Sequence, residues 1–309
     1  MSFYLSSCTM QKMKTKEVHV LGCQMDLGAN RRGIGLGPVV VRYTGLTEKL
    51  EALGFKVIDK GDIIPLTLEC TNPKMRHLAA IKEANARLYH SAKESLEKDA
   101  FVVTLGGDHS ISSASITAVQ SHFGNIGVIW VDAHGDFNNE ETSPSGNIHG
   151  MSLSSICGGG PDEIIEFAKN YKPVNPANIV LIGGRDFDPK EIIRLKSADV
   201  TVFSISDIDK YGIGEIINRA IKIASDGTDG IHLSFDMDVV SPADAPGVST
   251  PVHSGLTTRE AFLLAEMMAE SKKLISLDMV EINTIFDANN KTAELASELI
   301  LSMLGKKVF

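Results

Sequence analysis

Asp132, His134 and Asp136 stand at alternate positions directly after the apolar run Val128-Ile129-Trp130-Val131. Two carboxylates and an imidazole are good ligands for a hard or borderline divalent cation. Alternate side chains of an extended segment share a side, so the three can converge on one point. As core residues they would be costly, because a buried carboxylate needs a partner or a metal. As solvated turn residues they would need no explanation, but the pattern recurs. Asp108-His109 follows the apolar run 100–105, Asp236-x-Asp238 follows 231–235, and Glu281 follows 274–280. A single cation would be crowded by so many donors. Two cations about 3.5–4 Å apart, bridged by carboxylates and one hydroxide, would use them, and such a pair makes a nucleophile of water at neutral pH. Oxygen-rich donors with only two imidazoles favour Mn2+ over Zn2+.

These residues need elements that bring distant positions to one edge. Eight short β-favouring runs (17–22, 56–59, 100–105, 128–131, 179–182, 200–204, 231–235 and 274–280) alternate with helical patterns at 38–53, 74–98, from 112, 216–224, 257–270 and 292–304. Such alternation predicts an α/β domain with a mostly parallel sheet covered on both faces; an eight-stranded (β/α) barrel fits it equally well. In an open parallel sheet, ligands bind beyond the carboxyl ends of the strands, where the four polar clusters lie. The glycine-rich stretch 28–37 has neither GxGxxG at a strand end nor GxxxxGK[ST], and reads as a loop rather than a phosphate cradle. The polar, glycine-rich stretch 140–160 is long enough to expect a function of it.

Composition narrows the partners. The chain has 309 residues, 43% hydrophobic and 22% charged, a balance that suits a globular α/β protein. Its formal charge of −9 comes without a basic cluster, which argues against a nucleic-acid partner. No apolar run is long enough to span a membrane. Residues 1–16 lack the apolar core of a secretory signal and read as a short extension before a single catalytic domain, 17–309. Cys8, Cys23, Cys70 and Cys157 have no CxxC spacing and are expected to be reduced thiols in the cytoplasm.

Gly106-Gly107-Asp108-His109-Ser110, Asp132-Ala133-His134-Gly135-Asp136 and Ser234-Phe235-Asp236-Met237-Asp238, continuing through Pro246-Gly247 to Gly255, resemble the three signatures of the ureohydrolases. Thr142-Ser143-Pro144-Ser145-Gly146-Asn147-Ile148-His149-Gly150-Met151 resembles the arginase branch of that family. The likeness runs from about Val18 to the C-terminal helix. It implies a three-layer α/β/α arginase fold with two Mn2+ per subunit, one held by His109, Asp132, Asp136 and Asp236, the other by Asp132, His134, Asp236 and Asp238. The implied reaction is hydrolysis of L-arginine to L-ornithine and urea by a metal-bridging hydroxide. A homo-oligomer, trimer or hexamer, is implied in the same way, with contacts near Arg259-Glu260.

Within that resemblance, Glu281 orients the guanidinium through paired, charge-assisted hydrogen bonds. His149 shuttles a proton to the leaving amine, since an imidazole titrates near neutral pH. Asp136 is counted in the catalytic set beside them. Asn138 and Ser145 face the α-carboxylate, and Asp188, assisted by Asp186, faces the α-amino group. Thr250 is expected to make a contact beside Glu281, and Asp108 to support a metal ligand. The remaining histidines (His19, His77, His90, His122, His232 and His253) read as structural. The sequence departs from the usual family pattern at Ser241, Ser254 and Thr284, which bears on loop rigidity more than on reaction class. Two rival readings share the motifs: a ureohydrolase acting on agmatine, and a non-catalytic metal-holding relative. The segment from Asn138 to His149 separates the first, and the intact ligand set with Glu281 argues against the second.

Overall fold

The structure, a computed structural model, describes residues 16–307. The extension expected at residues 1–16 lies outside the described residues apart from Lys16. Eight strands form one sheet: β1 (Glu17–Cys23), β2 (Lys56–Ile63), β3 (Phe101–Leu105), β4 (Gly127–Val131), β5 (Ile179–Gly184), β6 (Thr201–Ser204), β7 (Ile231–Asp236) and β8 (Leu274–Val280). Their spatial order is β2-β1-β3-β8-β7-β4-β5-β6, and every pair is parallel. Among the described residues β2 and β6 are free edges, so the sheet is open and the barrel alternative falls.

Strand alternation builds a core on each face. Val18, Val103, Ile129, Val131, Leu233, Phe235 and Leu277 point to one side. There they meet the helices Gly37–Tyr43, Leu46–Ala52, Ile213–Ala224, Thr258–Ser271 and Lys291–Met303. Leu21, Val102, Val128, Trp130, Leu181 and Val280 point to the other, against Leu78–Leu96, Ser112–Phe123, Ser152–Ile156 and Pro189–Ser197. Strands buried on both faces explain why the runs read as continuous apolar stretches rather than alternating ones. The three-layer α/β/α arrangement follows.

Several boundaries differ from expectation for local reasons. The helix expected from residue 74 begins at Leu78, because His77 adopts a left-handed backbone with φ of 58°. The single helix expected over 38–53 is two, broken at Gly45, which has φ of 78°. The helix Pro189–Ser197 was not anticipated, although Asp188-Pro189-Lys190-Glu191 carries an N-terminal signature: an acidic N-cap, proline in the first turn and glutamate at the third position.

At the carboxyl edge the loops are stitched to the sheet. After β3, the Gly107 and Asp108 amides donate to Cys23 O at the end of β1 and to Met25 O just beyond it, while the Glu281 amide beyond β8 donates to Gly107 O at 2.9 Å. Only glycine fits at position 107, since a Cβ there would lie 1.8 Å from the Met25 carbonyl oxygen. The polar ends of β3, β8, β7 and β4, four consecutive neighbours in the sheet, are thereby fixed side by side.

Candidate active site

Asp132 is the hinge of the site. It is fully buried. Its Oδ2 lies 3.0 Å from His109 Nδ1, and its Oδ1 lies 3.3 Å from His134 Nδ1. Asp132 Oδ2 also accepts a hydrogen bond from Trp130 Nε1 at 3.0 Å, and Oδ1 accepts one from the His134 amide at 2.7 Å. Two groups of potential cation ligands share this carboxylate: His109 with Asp132 and Asp236, and His134 with Asp132 and Asp238. Asp136 joins the first, with its Oδ2 3.2 Å from His109 Nδ1. Asp236 Oδ2 is 3.1 Å from the same nitrogen, while its Oδ1 accepts from the Asp238 amide at 2.8 Å. Asp238 Oδ2 lies 3.1 Å from His134 Nδ1.

The route by which Asp136 arrives differs from the simple strand periodicity. β4 ends at Val131, and Asp136 sits in a left-handed turn with φ of 49°. The turn, not an extended strand, brings it back toward His109. Glu281 is held with φ of 64°, an uncommon backbone for a glutamate.

His109 is oriented from two sides. Its ring stacks on Trp130, with centroids 3.9 Å apart and planes 11° from parallel. Its Nε2 is paired with Ser234 Oγ at 2.9 Å. Yet its buried Nδ1, ringed by three carboxylate oxygens, makes no hydrogen bond. An imidazole nitrogen among three carboxylates is a donor set for a divalent cation, which would satisfy it and the oxygens together. The residues therefore fit the metal that the motifs imply. Without a cation the electrostatics are severe. Burial opposes charge on both imidazoles, but the surrounding carboxylates override it and raise His109 and His134 well above the ordinary histidine range. Burial and the neighbouring Asp238 and Asp132 push Asp236 well up. Against the same burial, His109 and His134 hold Asp132 far down.

Beside this centre, Glu281 Oε1 accepts from the His109 amide at 2.8 Å and faces His149 Nδ1 at 3.0 Å. Its Oε2 is buried with no hydrogen-bond partner. Burial raises Glu281 above the usual carboxylate range despite His149. Burial lowers the His149 imidazole less than Glu281 and Asp136 raise it, and it rises to about 9. Asp108 stands behind both, accepting from the Gly28 amide at 2.7 Å and the Ser110 amide at 3.1 Å. This binds the loop after β1 to the loop after β3.

The expected substrate contacts are distributed less simply. Asn138 Nδ2 donates to Asp188 Oδ2 at 2.9 Å, so the two are joined to each other; Asn138 Oδ1 is buried and unpartnered. Asp186 is exposed, with Oδ2 4.0 Å from His134 Nε2. Ser145 is exposed and accepts from the Asn147 amide at 3.2 Å. Thr250 is found on a metal-site carboxylate, donating to Asp238 Oδ2 at 2.9 Å, and not on Glu281. A cavity of about 350 Å³ opens over His134 and is lined also by Ala29, Asn30, Asn147, Asp186 and Thr250.

Three supporting residues escaped the sequence. Ser234 lies in the quoted motif, but its partner His109 is 125 positions away. Arg185 ties the loops around the site by donating to the carbonyls of Val239, Asp238, Val252 and His253. Glu191 is buried beneath the Asp136 turn, accepting from the Phe137 amide at 2.8 Å and the Asp188 amide at 3.2 Å; burial pushes it up to about 7. His232, read as structural, is buried against Asp278 at 3.0 Å and Ser276 at 2.7 Å, beneath the centre.

An open, all-parallel sheet with helices on both faces, carrying two groups of potential cation ligands joined by one aspartate beyond its central strands, defines an α/β protein with a candidate two-cation site. The family model described as "Arginase family" matches residues 16–305, and the chain belongs to that family, an enzyme of the ureohydrolase class. An arginase of Staphylococcus aureus (strain MSSA476) is 41% identical over 299 residues, covering 95% of this chain and 98% of that one. The crystal structure of arginase from Bacillus cereus superposes with a TM-score of 0.90 at 42% identity, over 96% of this chain and all of the other. Entamoeba histolytica arginase, solved in complex with L-ornithine, gives 0.87 at 29% identity, over 95% and 100% of the two chains.

Proposed function

We propose that the protein hydrolyses L-arginine to L-ornithine and urea, with two Mn2+ ions held by His109, Asp132, Asp136, Asp236, His134 and Asp238. The observation that carries the substrate class is Glu281: a buried carboxylate beside the ligand groups, with Oε2 left without a partner. A planar guanidinium supplies paired N–H donors to such a carboxylate and removes the cost of leaving it bare. When bound, the two cations supply a nucleophile by lowering the pKa of water.

The chain's own residues do the rest. Glu281 orients the guanidinium plane and balances its charge near the cations. His149, held by Glu281 through Nδ1, carries a proton at neutral pH and gives it to the departing amine nitrogen from Nε2. Asp188, with Asp186 near His134, receives the α-amino group, and Asn138 and Ser145 serve the carboxylate end. The ornithine held by the Entamoeba enzyme supports an amino-acid ligand. The metal preference rests on the oxygen-rich donor set.

A cytoplasmic setting is supported by Cys23, Cys70 and Cys157, all free; no helix among the described residues is long and apolar enough to cross a membrane. A homo-oligomer is part of the reading by family likeness; within the chain Arg259 pairs with Glu266.

The test is urea release by the Mn2+-loaded protein from L-arginine and, separately, agmatine. Urea from arginine alone supports the reading. Urea from agmatine alone keeps the centre and overturns the carboxylate contacts, and urea from neither overturns the activity.

A further inference from the structure

One arginine holds two of the asparagines that line the cavity. Arg76 Nη1 donates to Asn30 Oδ1 at 2.6 Å and to Asn147 Oδ1 at 3.5 Å, and the Arg76 amide donates to Gly146 O at 2.8 Å. Asn30 and Asn147 line the cavity, together with His134, Asp186 and Thr250. An amide side chain offers one acceptor oxygen and one donor nitrogen, whereas a guanidinium only donates. With both oxygens committed to Arg76, the groups that Asn30 and Asn147 retain for the cavity are N–H donors. Asn138 and Ser145 keep one N–H and one O–H for the same end, since Asn138 Nδ2 gives only one of its two N–H groups to Asp188 and Ser145 Oγ only accepts from the Asn147 backbone amide. Asp186 on the same cavity wall would repel an anion. Donors backed by a cation offset that repulsion.

We propose that Arg76 is a positioning residue for substrate selection: by holding both side-chain oxygens it presents the Asn30 and Asn147 amides to the α-carboxylate. This end of the site thereby prefers an amino acid to the corresponding decarboxylated amine. The proposal deepens the arginine reading and rests on it.

Three variants test it: Arg76→Met, Asn30→Ala and Asn30→Asp. The last preserves or strengthens the contact with Arg76, so a purely structural role would be spared, while the donor facing the cavity becomes an acceptor. Each Mn2+-loaded protein is assayed for kcat and KM on L-arginine, and for inhibition by L-ornithine and by its decarboxylated diamine. All three variants are expected to raise KM for arginine and Ki for ornithine about tenfold, with kcat within about twofold and Ki for the diamine unchanged. Asn30→Asp should be the most severe. Unchanged KM in Asn30→Asp, or equal losses for ornithine and the diamine, overturns the proposal. Failure of the wild type to release urea from arginine overturns the reading beneath it, and shows before any variant is made.

Discussion

Each oxygen of Asp132 faces a different imidazole, so neither ligand group is complete without it. Asp132→Ala is therefore expected to weaken both metal sites together, by at least about a hundredfold, since losing even an outer supporting group costs 10–100-fold. Elemental analysis after dialysis should find less than one Mn2+ per chain, and urea release should collapse. Retention of two ions, or near wild-type turnover, would refute the shared-ligand assignment. His149 gives a prediction through pH. Its imidazole is raised from 6.5 to about 9 on folding. A raised histidine contributes stability that is fully present below the unfolded pKa and lost as pH climbs through the folded one. In metal-free protein, wild type should lose stability between about pH 6.5 and 9 relative to His149→Asn, as followed by urea denaturation. Parallel pH profiles would show that the Glu281 pairing contributes nothing. With metal restored, the same variant should lose about 10²–10⁴ in kcat.

At the scale of elements, the strand ends were legible because apolar runs terminating in ligand-type residues announce themselves without knowledge of the fold. The period-two pattern puts Asp132, His134 and Asp136 at one point, whereas His134 and Asp136 stand with different ligand groups and a left-handed turn, invisible to that pattern, delivers Asp136 to His109. Arg185 and Glu191 were illegible because their partners are backbone groups of other loops, in Glu191's case 54 positions away at Phe137. Backbone amides and carbonyls leave no mark in a sequence. Neither does the donor direction of an asparagine. The glycine before Asp108 shows how closely the elements approach. Gly107→Ala would force its Cβ into the Met25 backbone. A loss of about 3 kcal/mol or more is expected in urea denaturation, because backbone must move to relieve the overlap. A loss under about 1 kcal/mol would mean that the β1 and β3 loops are not locked together.

For the whole molecule, the sheet and its two covering layers could be inferred from alternation, whereas strand order could not, because periodicity carries no information about which strands are neighbours. Four neighbouring strands end in acidic or imidazole ligands and in Glu281, so metal binding should be coupled to global stability. At hundredfold excess over its dissociation constant, a cation that binds only the folded state adds about 2.7 kcal/mol per site. Thermal melts should therefore rise with Mn2+ and fall with chelator in wild type, and should not respond in Asp132→Ala. A wild-type melt insensitive to both would remove the metal centre from the account.

The order of the strands has a consequence for how the molecule is made. β7 and β8 are the last two strands in the chain, yet they occupy the middle of the sheet between β3 and β4. A nascent chain that has reached only Gly230 holds two separate three-stranded pieces with no shared edge. His109 is on one and Asp132 on the other, and Asp236, Asp238 and Glu281 have yet to be synthesised. Ribosome-bound intermediates thus have no intact centre to load. A cation held by both groups therefore requires the last strands to have joined the two pieces.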